Sequence, residues 1–103
     1  LIKVSVLYPA GDGKRFDHDY YANKHVTMIA DKVGDAMKKC EIDKGVAGMP
    51  PGQPAPFVGA VHMYFDSVEA FQAAFAPHTG AIMGDVPNYT DIMPTIQISE
   101  VVQ

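Results

Sequence analysis

The chain has 103 residues, of which 48% are hydrophobic and 19% charged, and it carries a net charge of −4. That length makes one domain, residues 1–103, with a modest core. The acidic balance and scattered basic residues exclude a nucleic-acid footprint, no apolar run is long enough to span a bilayer, and the single Cys40 excludes an internal disulfide and a cysteine-based metal set.

Ile2 to Tyr8 alternates apolar and polar residues, is rich in β-branched side chains, and is stopped by Pro9, so it predicts a strand. Leu1 to Leu7 is too short for a signal-peptide core, and a cytoplasmic setting is the expectation. Ala10 to Gly13 is a turn-rich loop. Asp17 then suits an N-cap, Asp19 suits the positive end of a helix dipole, and Gly34 suits a C-terminal stop. The spacing predicts a helix from about His18 to Val33. At roughly 100° per residue, Tyr21, His25, Met28, Ile29 and Val33 share one apolar arc. Tyr20 falls on the polar side, where a partner would have to cover its ring.

His25 near the middle of that arc is the main chemical candidate. Imidazole titrates closest to neutrality, so a histidine aimed at an interior cavity can shuttle protons. Tyr21 is in reach as its orienting partner, because residues four apart on a helix are neighbours. The competing reading is a core histidine satisfied by structural partners.

Met37 to Ile42 predicts a second strand, exposed or at an edge. Asp43 to Pro56 holds too many prolines and glycines for a regular ladder and reads as one long loop. Phe57 to Phe65 is a strong strand. Asp66-Ser67 caps a second helix with Val68, Phe71, Ala74 and Phe75 as its buried stripe. Pro77 interrupts or restarts that helix, and a short turn is expected to reach Met83 and end at Gly84. Asp85 to Asp91 reads as an irregular link in which Asp85, Asn88 and Asp91 are turn and capping residues. Thr95 to Val102 is the last strand.

The order predicts an α+β fold, a ferredoxin-like βαββαβ antiparallel sheet with two helices on one face. Phe57, Gly59, Val61, Met63 and Phe65 are assigned to the helix side. Val58, Ala60, His62 and Tyr64 then make a mixed face, which a two-fold homodimer would cover by closing two sheets into a barrel. His62 and Tyr64, with Gln97 and Ser99 on the last strand, are candidate substrate-binding groups; cross-strand packing and a solvated strand face are their structural alternatives. The four histidines show no His-x-x-x-His pair and no adjacent carboxylate set, so no metal site and no cofactor are expected.

The sequence resembles the EthD family of the dimeric α+β barrel superfamily, named for a protein encoded with ether-degradation genes (ethyl tert-butyl ether degradation). The matching residues are Ile2 to Tyr8, Phe16-Asp17-x-x-Tyr20-Tyr21-x-x-x-His25, Phe65-Asp66-Ser67 and Asp85-Val86-Pro87-Asn88-Tyr89-Thr90-Asp91. The resemblance implies a homodimer with a cavity between sheet and helices in each subunit. It settles no reaction: relatives in the superfamily include isomerases, cyclases, metal-free monooxygenases and haem-degrading enzymes. A reductase label would lack a visible cofactor site, since Gly11-x-Gly13 lacks the third glycine of a dinucleotide loop.

The expected function is cofactor-independent proton transfer on a small apolar or aromatic carbonyl-type molecule (isomerisation, cyclisation, dehydration or decarboxylation), with His25 and Tyr21 as catalytic residues. The alternatives are a carrier of hydrophobic metabolites without catalysis, and a reductase- or monooxygenase-type accessory protein of ether degradation.

Overall fold

The computed structural model describes residues 1–103. Four strands form one sheet: β1 (Ile2–Pro9), β2 (Lys39–Lys44), β3 (Phe57–Phe65) and β4 (Thr95–Glu100). Their spatial order is β2-β3-β1-β4, and every neighbouring pair is antiparallel. Two helical arms, 18–36 and 68–88, cross between strands and cover one face, which is the ferredoxin-like arrangement the element order predicts.

Alternation decides which side chains face the helices. Val4 lies opposite Met63 and Ile98, and Val6 opposite Val61 and Ile96, so these residues share one face, which the helices cover over β1 and β3 and leave exposed at Ile96 and Ile98 of the edge strand. Val4, Val61, Met63 and Phe65 are among the most deeply buried side chains. Burying each such side chain is worth about 1.5–3 kcal/mol. Gly59 also faces inward, and a Cβ there would lie 2.9 Å from Phe16 Cζ, so the ring packs where only glycine leaves room.

The first arm is not one regular helix. It starts at α1 (His18–Tyr20), where Asp17 caps by accepting a hydrogen bond from the Tyr20 amide at 3.0 Å. Residues Tyr21–His25 then wind as a π-helical turn, and α2 (Val26–Val33) continues the rod. Gly34, at φ 57°, ends it in a conformation that favours glycine. The wider turn brings neighbours inward together: His25 and Val26 are both buried.

The second arm begins at α3 (Val68–Phe75), where Ser67 accepts from the Ala70 amide at 3.0 Å. It runs further than the sequence predicts. A short 3-10 turn carries Pro77, α4 (Thr79–Asp85) follows, and a second 3-10 turn covers Val86–Asn88. Both prolines lie in the first turn of their segments, where the missing N–H breaks nothing. The expected end at Gly84 and irregular link from Asp85 are thus corrected: Ile82 is buried and pins the segment as helix.

β2 lies two residues later than predicted, because its register is set by pairing with β3, Lys39 opposite Tyr64 and Lys44 opposite Gly59. It is an edge strand, as expected. No helix is long and apolar enough to cross a membrane.

Candidate functional site

The helical arms and the covered sheet face leave a cavity of about 560 Å³ between them. Its wall is largely apolar, with Val61, Met63, Phe75 and Ile82 among the lining residues. One part is different. Tyr8 from β1, Tyr21 and His25 from the π-helical turn, and Tyr89 converge there. Tyr89 is held in place by stitching between distant segments: Phe16 bridges Thr90, the Asp17 amide donates to the Tyr89 carbonyl at 2.8 Å, and Thr90 Oγ1 donates to the Arg15 carbonyl at 2.6 Å. The Tyr89 ring lies 4.5 Å from the His25 ring, centroid to centroid.

His25 is only 3% exposed. Its Nδ1 lies 2.9 Å from Asp85 Oδ2. Burial pushes the imidazole below its ordinary pKa, and the hydrogen bond and charge of Asp85 offset that only in part. Burial pushes the Asp85 carboxyl up, but hydrogen bonds from Tyr20, Asn88 and His25 together outweigh it and hold the group below the usual carboxylate range. Near neutral pH the pair is therefore a neutral imidazole and an ionised carboxylate. The carboxylate can only accept, so Nδ1 carries the proton and donates, and Nε2 keeps its lone pair. Nε2 has no partner within the chain, yet no sealed side-chain polar atom is left without one; Nε2 is thus open to the cavity His25 lines.

Asp85 is itself fixed. Its Oδ1 accepts from the Tyr20 hydroxyl at 2.7 Å and from Asn88 Nδ2 at 2.9 Å. Tyr20 is half-buried beneath the chain's own 85–88 segment. The Tyr20 phenol is raised in pKa, first by that hydrogen bond to Asp85.

The structure brings His25 and Tyr21 together in the cavity, with rings stacked at 5.7 Å and 17°. It gives Tyr21 a different part from the expected one: the residue that orients His25 is Asp85, and Tyr21 packs against it. His62, Tyr64, Gln97 and Ser99 do not join the cavity. The register puts them on the opposite sheet face, where Ser5 Oγ meets His62 Nδ1 at 2.8 Å, Tyr64 donates to Glu41 at 3.0 Å and Gln97 donates to Ser99 at 3.0 Å. That face is more polar than β3 alone implies, because β1 and β2 add Lys3, Lys39, Glu41 and Asp43 to it.

Asp85, Tyr8 and Tyr89 were not legible as site residues. Asp85 and Tyr89 sit in the Asp-Val-Pro-Asn-Tyr-Thr segment, which reads locally as turn chemistry, and Asp85 meets His25 across 60 positions of chain. No group of three or more His, Cys, Asp or Glu side chains is placed to hold a metal ion.

Comparison with known proteins gives this geometry a context. The model of the EthD domain matches residues 13–92. The chain is similar to the crystal structure of an EthD-like protein of Ralstonia eutropha, at 46% identity and a TM-score of 0.95, over 99% of this chain and 92% of that one. It is also similar to an "ethyl tert-butyl ether d (EthD) family protein" of Bacillus halodurans, at 21% identity and a TM-score of 0.73, over 98% of each chain. A dimeric ferredoxin-like protein of unknown function from Thermobifida fusca shares the fold at 15% identity and a TM-score of 0.57, over 97% of this chain and 90% of that one. None of the curated proteins matches the chain. A family model spanning most of the sequence, and a solved relative nearly half identical over 99% of this chain, show that this chain belongs to the EthD family.

Proposed function

We propose that the chain catalyses cofactor-independent proton transfer on a small, largely apolar carbonyl-type molecule, with His25 Nε2 as the base. The observation that carries this is the His25–Asp85 pair: a buried imidazole, its Nδ1 held at 2.9 Å by a carboxylate, its other nitrogen free toward an apolar cavity. A base with a lowered pKa is unprotonated and available near neutral pH. Asp85 steadies the imidazolium that forms when Nε2 takes a proton. Apolar walls lower the local polarity and so strengthen charge interactions inside. The same walls support a carrier role for hydrophobic molecules, which needs no titrating group.

The working unit we infer is a homodimer whose partner covers the sheet face carrying His62 and Tyr64. The dimeric description of the Thermobifida fusca protein of the same fold supports this.

The test is solvent-deuterium exchange. A panel of aromatic ketones with acidic α-hydrogens is incubated with the protein in D2O and followed by NMR. Exchange is expected with the wild type and lost with His25→Gln at unchanged fold. Exchange that persists in the variant removes His25 as the base. Tight binding of the panel with no exchange at any pH establishes the carrier role instead.

A further inference from the structure

The hydroxyl groups of Tyr8 and Tyr89 lie 2.6 Å apart, and both residues are almost fully buried. Tyr21 adds a third phenol, its ring 5.4 Å from that of Tyr8 and edge-on to it. No carboxylate, carbonyl or amide of the chain accepts from any of the three. The proton count is then fixed by valence. Three hydroxyls hold three protons, and the one hydrogen bond among them, between Tyr8 and Tyr89, uses one. The other two have no acceptor in the chain, and because no sealed polar atom lacks a partner, the unbonded Tyr21 hydroxyl must reach open space. All three residues line the cavity beside His25.

We propose that the Tyr8–Tyr89–Tyr21 hydroxyl cluster is an anion-stabilising donor site for a ligand oxygen that carries or develops negative charge, an enolate or phenolate oxygen. Burial raises the pKa of all three phenols, so each keeps its proton through the physiological range and is a neutral donor. A preorganised O–H in a dry site stabilises developing oxyanion charge far more than the same group in water. The inference rests on the base reading of His25 for its chemistry. The substrate C–H bond breaks, its proton goes to Nε2, and the electron pair moves onto the carbonyl oxygen, which takes the tyrosine hydrogen bond. Return of the proton to the substrate carbon or a neighbouring atom restores the neutral imidazole. The substrate class narrows accordingly to compounds with a carbonyl or phenolic oxygen next to the reacting centre.

The site is testable without turnover, by titrating the protein with para-nitrophenol, whose visible absorbance reports its ionised form. The bound probe is expected to ionise at lower pH than the free one and to bind at least roughly tenfold tighter than para-nitroanisole, which has no acidic oxygen. Tyr8→Phe and Tyr89→Phe should each remove most of that preference, with anisole binding unchanged. His25→Gln should retain it. Variants that bind phenolate as the wild type does overturn the proposal. So does a wild type that binds phenolate no better than anisole, a reading that needs no variant. Loss of the preference in His25→Gln alone, with both tyrosine variants intact, overturns the hydroxyl site while leaving the base reading in place.

Discussion

Replacing Asp85 with Asn separates orientation from packing. Two donors, the Tyr20 hydroxyl at 2.7 Å and Asn88 Nδ2 at 2.9 Å, converge on Asp85 Oδ1. In the Asp85→Asn variant the amide oxygen must occupy that position, since an NH2 group there would face two donors. The amide nitrogen then faces His25 Nδ1 and donates to it. The imidazole answers by moving its proton to Nε2, so the atom facing the cavity becomes a donor. Every hydrogen bond survives in this arrangement and only charge assistance is lost, so the expected destabilisation is about 1 kcal/mol. Asp85→Ala is the contrast. It strands a His25 N–H that is almost fully buried, while the Tyr20 hydroxyl and the exposed Asn88 turn to water. The stranded donor adds about 1–3 kcal/mol to the loss, at a drop in Tm of about 4–8 °C per kcal/mol for a domain of this size. Urea denaturation measures the stabilities, and nitrogen NMR of labelled histidine reads the tautomer. An Asp85→Asn variant that keeps its proton on Nδ1, or that is as unstable as the Asp85→Ala variant, refutes the reasoning.

Burial holds the folded His25 below the ordinary imidazole pKa. The unfolded chain therefore binds a proton first, and stability should fall as pH drops below 6.5 toward the folded value; thermal melts of His25→Gln should lack that slope. Proton transfer should fade over the same acid range as Nε2 becomes protonated. Gly59→Ala places a Cβ 2.9 Å from Phe16 Cζ and should cost about 1–3 kcal/mol, with part of the loss recovered in the double variant carrying Phe16→Leu, as chemical denaturation would show. Ser67→Ala removes the cap on the Ala70 amide and should cost about 1 kcal/mol in the same assay. His62→Ala lies on the far sheet face and should leave para-nitrophenol binding in the cavity unchanged.

Much of the fold was written in short-range pattern. Alternation in Ile2 to Tyr8 and Phe57 to Phe65 identified the two central strands and the inward set Val61, Met63 and Phe65, because a strand's period of two survives any tertiary context. Asp17 and Ser67 marked both helix starts through their caps. What escaped the sequence was long-range or depended on phase. Pro77, Gly80, Gly84 and Pro87 punctuate the second arm, yet burial of Ile82 keeps it helical. Asp85 reads as a turn residue from its neighbours and becomes the partner of His25 only once the fold brings their segments together. The polarity of the far sheet face escaped as well, since β3 alone says nothing of the charged residues that β1 and β2 place beside it.

The π-helical turn at Tyr21–His25 carries a consequence for how the site tolerates change. A regular helix holds a single angular phase from end to end; this rod holds two, offset by one residue's worth of rotation, roughly 100°. Tyr20 and Tyr21 belong to the first phase, Val26, Ile29 and Val33 to the second, and His25 sits at the seam. The length of that turn is thus as much a determinant of the site as the identity of any side chain in it. Losing one residue there would regularise the hydrogen bonding and still swing the aromatic end of the rod away from the imidazole it serves.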